Sequence, residues 1–217
     1  MLGVLDSGAG GLVSYAELRR LQPMANLCYL ADRKNAPYGT KSEDEILTLT
    51  EGGIRRLLAM GCERILIACC TASSVYQRLP EELRQISLPI ISLGARECRD
   101  SRSVLVIATE HTARCGAFSR EIARFSDASV TEIAFQPLVN AIEWGEDTSE
   151  MIYRVERLCL SLGADTLMLG CTHFSHLLGE LSAALRNIKI ISPAHLGARE
   201  LTRIKISRER GLDIYTS

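Results

Sequence analysis

The chain repeats itself. Gly61 to Cys69 reads GCERILIAC and Gly163 to Cys171 reads GADTLMLGC, in each case a glycine eight positions before a cysteine with a short apolar run between. A second pair agrees. Ile90-Ile91-Ser92 precedes Leu93-Gly94-Ala95-Arg96-Glu97, and Ile190-Ile191-Ser192 precedes Leu196-Gly197-Ala198-Arg199-Glu200. The three landmarks are shifted by 102, 100 and 103 positions. A nearly constant shift restricts the fold more than any single motif does. It predicts two copies of one unit, each ending an apolar strand in a thiol.

Apolar runs of strand length fall near 2–5, 27–31, 64–68, 88–92, 103–108, 129–134, 165–169, 188–192 and 212–215. Helical patterns lie between them. Ser42-x-x-Glu45 reads as a capping box opening a helix over 42–60, and Thr148 or Ser149 reads as the cap of a helix over about 149–162. Such alternation predicts an α/β chain of two pseudo-equivalent domains, each a mostly parallel sheet flanked by helices, with the active site in the cleft between them. The division falls near residue 93, and the last helix and strand return to the first half. The expected domains are therefore 1–93 plus 196–217, and 94–195.

Bulk properties narrow the partners. Of 217 residues, 47% are hydrophobic, enough for real cores, and the net charge of −1 supplies no field for nucleic acid or anionic membrane. The basic run from Arg203 to Arg210 reads as a solvated helix end rather than a phosphate-binding arm. No apolar run approaches membrane-span length, and the N-terminus enters a strand without a basic leader. A cytoplasmic location is expected, where the eight cysteines stay reduced. Their spacing fits neither a metal framework nor a disulfide framework.

Four polar clusters fall at the carboxyl ends of expected strands: Asp6-Ser7, Cys69-Cys70-Thr71, Thr109-Glu110 and Cys171-Thr172-His173. Open α/β sheets bind ligands there. The loop Ser7-Gly8-Ala9-Gly10-Gly11 is no dinucleotide fingerprint, because Val13 stands where glycine is needed, and no P-loop lysine follows. It reads as a tight strand-to-helix turn, or as backbone N–H groups approaching a carboxylate.

Cys28, Cys62, Cys98 and Cys159 read as small core residues. Cys69 and Cys171 differ, because each follows a strand and opens a helix, where the dipole favours thiolate. A metal site of Cys171, His173 and His176 would need further ligands, and the first half offers no histidine. Cys69-Cys70 as a redox pair would close a strained ring. No metal or cofactor is expected. Two like halves would place two thiols on opposite sides of one cleft, the arrangement needed to swap a proton between the faces of a carbon.

The chain resembles the cofactor-independent aspartate/glutamate racemase superfamily, on the glutamate racemase side. The resemblance rests on Gly3-Val4-Leu5-Asp6-Ser7-Gly8-Ala9-Gly10-Gly11, Ala36-Pro37-Tyr38-Gly39-Thr40-Lys41-Ser42, Ala68-Cys69-Cys70-Thr71-Ala72-Ser73, Leu169-Gly170-Cys171-Thr172-His173, and Thr109-Glu110 with Thr112, Cys115 and Gly116. It implies that Cys69 and Cys171 are the two catalytic thiols, assisted by Asp6 and His173. It further implies that Ser7, Pro37, Tyr38, Gly39, Cys70, Thr71, Thr109, Thr112 and Thr172 hold an amino-acid substrate. By the same resemblance the protein interconverts L- and D-glutamate, supplies D-glutamate for peptidoglycan, and can form a homodimer.

The sequence departs from the family at two places. Cys70 stands where asparagine is usual, and Asn140 stands where Pro-Leu-Val-Glu carries its acid. Glu143 lies one helical turn on and can assist instead if the segment is helical. Two other readings accompany the main one. The substrate is another acidic amino acid or related compound, or the chain is a weakly catalytic paralogue with a binding or regulatory role.

Overall fold

The computed structural model describes residues 1–203 and 212–216, the last five by their backbone. The basic stretch expected to end a helix lies outside the described residues from 204 to 210. Among the described residues nine strands form: β1 (Leu2–Asp6), β2 (Leu27–Ala31), β3 (Arg64–Ile67), β4 (Ser87–Pro89), β5 (Ser103–Ala108), β6 (Ser129–Ala134), β7 (Thr166–Gly170), β8 (Lys189–Ile191) and β9 (Leu212–Thr216).

They build two compact units. One comprises Met1–Ile90 with the segment returning at Ala194, and the other comprises Ile91–Pro193. The first sheet has the order β4-β3-β1-β2-β9 and the second β6-β5-β7-β8. Every neighbouring pair is parallel. Apart from β9 the two orders are the same when read from β4 and from β8. The sequence repeat is thus a topological repeat, and helices flank both sheets.

The repeated glycine has a backbone cause. Gly61 at φ +87 and Gly163 at φ +59 lie in the left-handed region, which only glycine enters cheaply. Beyond each, an N–H reaches back to close the helix: Cys62 to the Leu57 carbonyl at 3.0 Å, and Ala164 to the Cys159 carbonyl at 2.9 Å. The next residues enter the sheets by matching bonds, Glu63 N–H to Met1 at 2.9 Å and Asp165 N–H to Ser103 at 3.0 Å. Each core then fills from alternate strand and helix positions. Leu5, Ile54, Leu57, Ile65 and Ile67 pack in the first unit; Leu105, Ile107, Leu138, Leu167 and Phe174 pack in the second. Burying each such side chain contributes about 1.5–3 kcal/mol.

The Ser42/Glu45 capping box forms, with the Glu45 N–H on Ser42 Oγ at 3.3 Å and the Ser42 N–H on Glu45 Oε2 at 2.9 Å, opening the helix Glu43–Ala59. The helix Ser149–Ser161 is capped otherwise than expected. Thr148 makes no side-chain cap; Asp147 Oδ1 accepts from the Ser149 N–H at 3.0 Å and from its hydroxyl at 2.7 Å.

A further correction concerns 88–92. The strand ends at Pro89, and a helix runs over Ile90–Arg96. The Ile90 N–H donates to Ser73 Oγ at 3.1 Å instead of continuing a ladder. A short buried apolar run has the same pattern in either state. This helix and its counterpart Pro193–Thr202 exchange places. A Cβ on Gly94 would stand 3.0 Å from Met168 Sδ on β7, and one on Gly197 2.8 Å from Leu66 on β3. Leu66 and Met168 are themselves 102 positions apart. Each copy's closing helix therefore packs on the other copy's sheet, and each glycine permits the close approach.

Candidate active site

In the first unit the polar residues gather at the carboxyl ends of the adjacent strands β1 and β3. Asp6 ends β1 and is buried. Its Oδ1 accepts from the Gly8 N–H at 2.8 Å, so that N–H of the glycine loop approaches the chain's own carboxylate. Gly11 lets the loop turn over Asp6, for a Cβ there would stand 2.7 Å from the Asp6 Cβ. The Tyr29 hydroxyl donates to the Gly8 carbonyl at 2.6 Å and holds the same loop from β2.

Cys69 follows β3 and is buried, with its Sγ 3.4 Å from the Ser7 hydroxyl and 3.5 Å from the Ala72 N–H. Burial, then the Asp6 charge, push its thiol up to about 11, against the opposing hydrogen bonds from Ser7 and Ala72. The dipole argument from sequence does not govern this thiol. The helix after it, Cys70–Ser74, is only five residues long, and its field is weak beside desolvation and a neighbouring carboxylate. Cys70 and Thr71, the next two residues, are buried as well.

Tyr38 and Gly39 are also buried, whereas Pro37 is exposed and follows a cis peptide bond. One residue here was not anticipated. Asp32, just past β2, accepts from the Tyr38 hydroxyl at 2.7 Å and from Asn35 Nδ2 at 2.9 Å. It fixes the Tyr38-Gly39 segment. Its signal was available, since it is an acid at a fifth strand end.

The second unit repeats the plan at β5 and β7. Thr109 caps the helix Glu110–Arg114 by accepting from the Thr112 N–H at 3.4 Å, and its hydroxyl donates to Thr112 Oγ1 at 3.0 Å. Both are buried. Cys171 leaves β7 into a 3-10 turn, Thr172–Leu177, which again is no full helix N-terminus. Thr172 and His173 are buried with it.

Cys171 Sγ lies 3.5 Å from His173 Nδ1. His173 Nε2 lies 3.0 Å from Glu143 Oε1, at ion-pair distance though off the hydrogen-bond line. Glu143 stands on the helix Gln136–Trp144, so the segment is helical as its assisting role requires. Asn140 Oδ1 accepts from Gln136 Nε2 at 3.2 Å along that helix. Burial lowers the His173 pKa, with Glu143 opposing and His176 adding to the drop. The imidazole is therefore neutral at pH 7. A carboxylate only accepts, which assigns the proton to Nε2 and leaves Nδ1 free to accept from the Cys171 thiol.

Among the described residues no three His, Cys, Asp or Glu side chains are placed to hold a metal, and His176 is exposed. His195 falls in the first unit, which sequence alone had left without a histidine. Among those residues, too, no helix is long and apolar enough to cross a membrane.

Residues 14–201 match the family described as Asp/Glu/Hydantoin racemase. A glutamate racemase of Cupriavidus pinatubonensis is 37% identical in an alignment of 215 positions that covers 93% of this chain and 78% of that protein. A glutamate racemase of Thermus thermophilus is 33% identical over 93% of this chain and 78% of its own length. Among solved structures, the glutamate racemase isoform RacE1 from Bacillus anthracis matches with a TM-score of 0.83 at 29% identity, covering 94% of this chain and 80% of that one. The chain belongs to the Asp/Glu/Hydantoin racemase family and is a racemase, an isomerase.

Proposed function

We propose that this racemase interconverts L- and D-glutamate without a cofactor, Cys69 and Cys171 serving as the two proton-transfer groups. In one direction a thiolate takes the α-proton from one face while the other thiol gives its proton to the opposite face. One C–H bond breaks, one forms, and thiol and thiolate have exchanged roles.

The observation that carries this reading is that each thiol has a polar partner at the matching strand end. Cys69 has Ser7 with Asp6 beside it, and Cys171 has His173 backed by Glu143. His173 Nδ1 can accept the Cys171 proton and so generate its thiolate. The α-proton is a very weak acid, so the carbanion needs hydrogen bonds to its carboxylate in a site that excludes water. Buried Thr71, Thr109, Thr112 and Thr172 suit that task, with Ser7, Tyr38-Gly39 and Cys70 beside them in the proposed substrate set. Glutamate as substrate is supported by the relatives named glutamate racemase. D-glutamate for peptidoglycan, made in the cytoplasm, is the role that goes with it.

The test is deuterium entry from solvent into the α-position of each glutamate enantiomer, in wild type, Cys69→Ser and Cys171→Ser. Serine is far too weak a base to replace thiolate. Racemisation should vanish in both variants, while one-sided elimination from an analogue that needs a single base can persist. Full racemisation in either variant overturns the two-thiol mechanism. Turnover of aspartate but not glutamate moves the substrate within the family.

A further inference from the structure

Three sulfur-bearing side chains, Cys28, Met60 and Cys62, share the core at the amino ends of the first unit's strands, the other end of the sheet from Cys69. The Cys28 thiol on β2 donates to the Met60 thioether, Sγ to Sδ 3.8 Å. The Cys62 thiol lies in the same core cluster, close enough to Cys28 for the two to interact. The fold sets all three positions. Cys28 is the cross-strand partner of Gly3 on β1. Cys62 follows the left-handed Gly61, and a Cβ on Gly3 would stand 3.1 Å from its Sγ. Gly3 therefore leaves the space in which the Cys62 sulfur lies beside Cys28. Met60 closes the helix Glu43–Ala59. Both thiols are buried and Met60 is half-buried, so the thioether is the member nearest solvent.

Two thiols and a thioether are soft donors, a set that selects thiophilic monovalent copper over hard cations. The Cys28–Met60 spacing suits one ion. Three sulfurs in a plane around a metal at about 2.3 Å stand about 4 Å from one another, and Cys28 and Met60 stand 3.8 Å apart. None of the three takes part in the proton transfer proposed above.

We propose that Cys28, Cys62 and Met60 form a binding site for one soft monovalent cation, with Cu(I) as the probe. Binding exchanges two S–H protons, released to solvent, for one Cu(I); no electron moves, and copper and sulfur keep their oxidation states. Filler sulfurs in a core would bind nothing.

The experiment is an anaerobic titration of the whole protein with Cu(I) against a chromogenic Cu(I) chelator. Wild type is compared with Cys62→Ala, Met60→Leu and the double variant Cys69→Ser/Cys171→Ser. The double variant should keep the tight equivalent that wild type binds, and Cys62→Ala should lose it. X-ray absorption should count three sulfurs around copper in wild type and two in Met60→Leu. Equal uptake by wild type and Cys62→Ala, or an unchanged sulfur count in Met60→Leu, overturns the site. Should Cys62→Ala fail to fold, Met60→Leu decides alone, since that swap nearly conserves core volume.

Discussion

Oε1 of Glu143 lies 3.0 Å from Nε2 of His173. The carboxylate favours the tautomer with its proton on Nε2, in which Nδ1, 3.5 Å from the Cys171 thiol, is an acceptor. In the proposed mechanism Glu143 thus assists from one helical turn beyond Asn140.

Replacing Glu143 by glutamine should lower kcat/KM by about tenfold or more, the cost of removing a negative charge from beside the His173 ring. The loss should be equal in both directions, because the two enantiomers have equal free energy. Peptide-resolved alkylation separates positioning from a general loss. Cys171 should react more slowly in Glu143→Gln, and Cys69 should not.

Cys69 should behave as a high-pKa thiol. Burial and the Asp6 carboxylate push it up to about 11, so its alkylation rate should climb with pH throughout the range from 7 to about 10. Asp6→Asn keeps an acceptor for the Gly8 N–H but removes the charge. Cys69 in that variant should be alkylated faster at pH 8. The unfolded thiol ionises near pH 8.5 while the folded one does not, so this residue's contribution to stability falls as pH rises from there toward the folded value.

His173 gives the opposite dependence on the acid side. Its folded pKa is lowered by burial, while the unfolded residue takes up a proton near pH 6.5. Its contribution is therefore present above that pH and is lost as pH falls through the lower folded value. The Tm of His173→Gln should be less sensitive to acid between pH 5 and 7 than that of wild type.

Gly170→Ala should destabilise by about 1–3 kcal/mol through overpacking. Its Cβ would stand 2.7 Å from the Ile107 carbonyl oxygen, a backbone atom that cannot swing aside. Gly8→Ala is the control. No atom lies within 4 Å of a Cβ there, so the change should stay within about 0.5 kcal/mol. Urea denaturation of both variants reads the difference.

Cys70 is buried, and a thiol is a weaker donor and acceptor than an amide. Cys70→Asn should raise glutamate turnover, measured by circular dichroism. Asn140→Glu should change it little while Glu143 already backs His173, and should rescue part of the loss in Glu143→Gln. No turnover in wild type or in any revertant, with glutamate still bound, would favour the binding-protein reading.

Much of this protein was determined by sequence alone. Gly61 and Gly163 mark the two copies in the sequence, and in the structure both adopt the left-handed conformation that stops a helix. The apolar runs placed β2, β5 and β6 to the residue, because alternation with helical patterns leaves few other states for them. The four polar clusters at strand ends follow from that register. What the sequence could not determine depends on contacts between distant segments. Ile90-Ile91-Ser92 reads as strand, but Ser73 takes the Ile90 N–H and a helix begins. The exchange of closing helices is decided by Gly94 against Met168 and Gly197 against Leu66. The helix dipole suggested an activated Cys69, yet a thiol's ionisation depends on everything that surrounds it. The fold encloses Cys69 beside Asp6 and raises its pKa instead. The sequence marks Glu143 as able to assist from one helical turn beyond Asn140, but that its partner is His173 follows only from helix Gln136–Trp144 packing on the turn after β7.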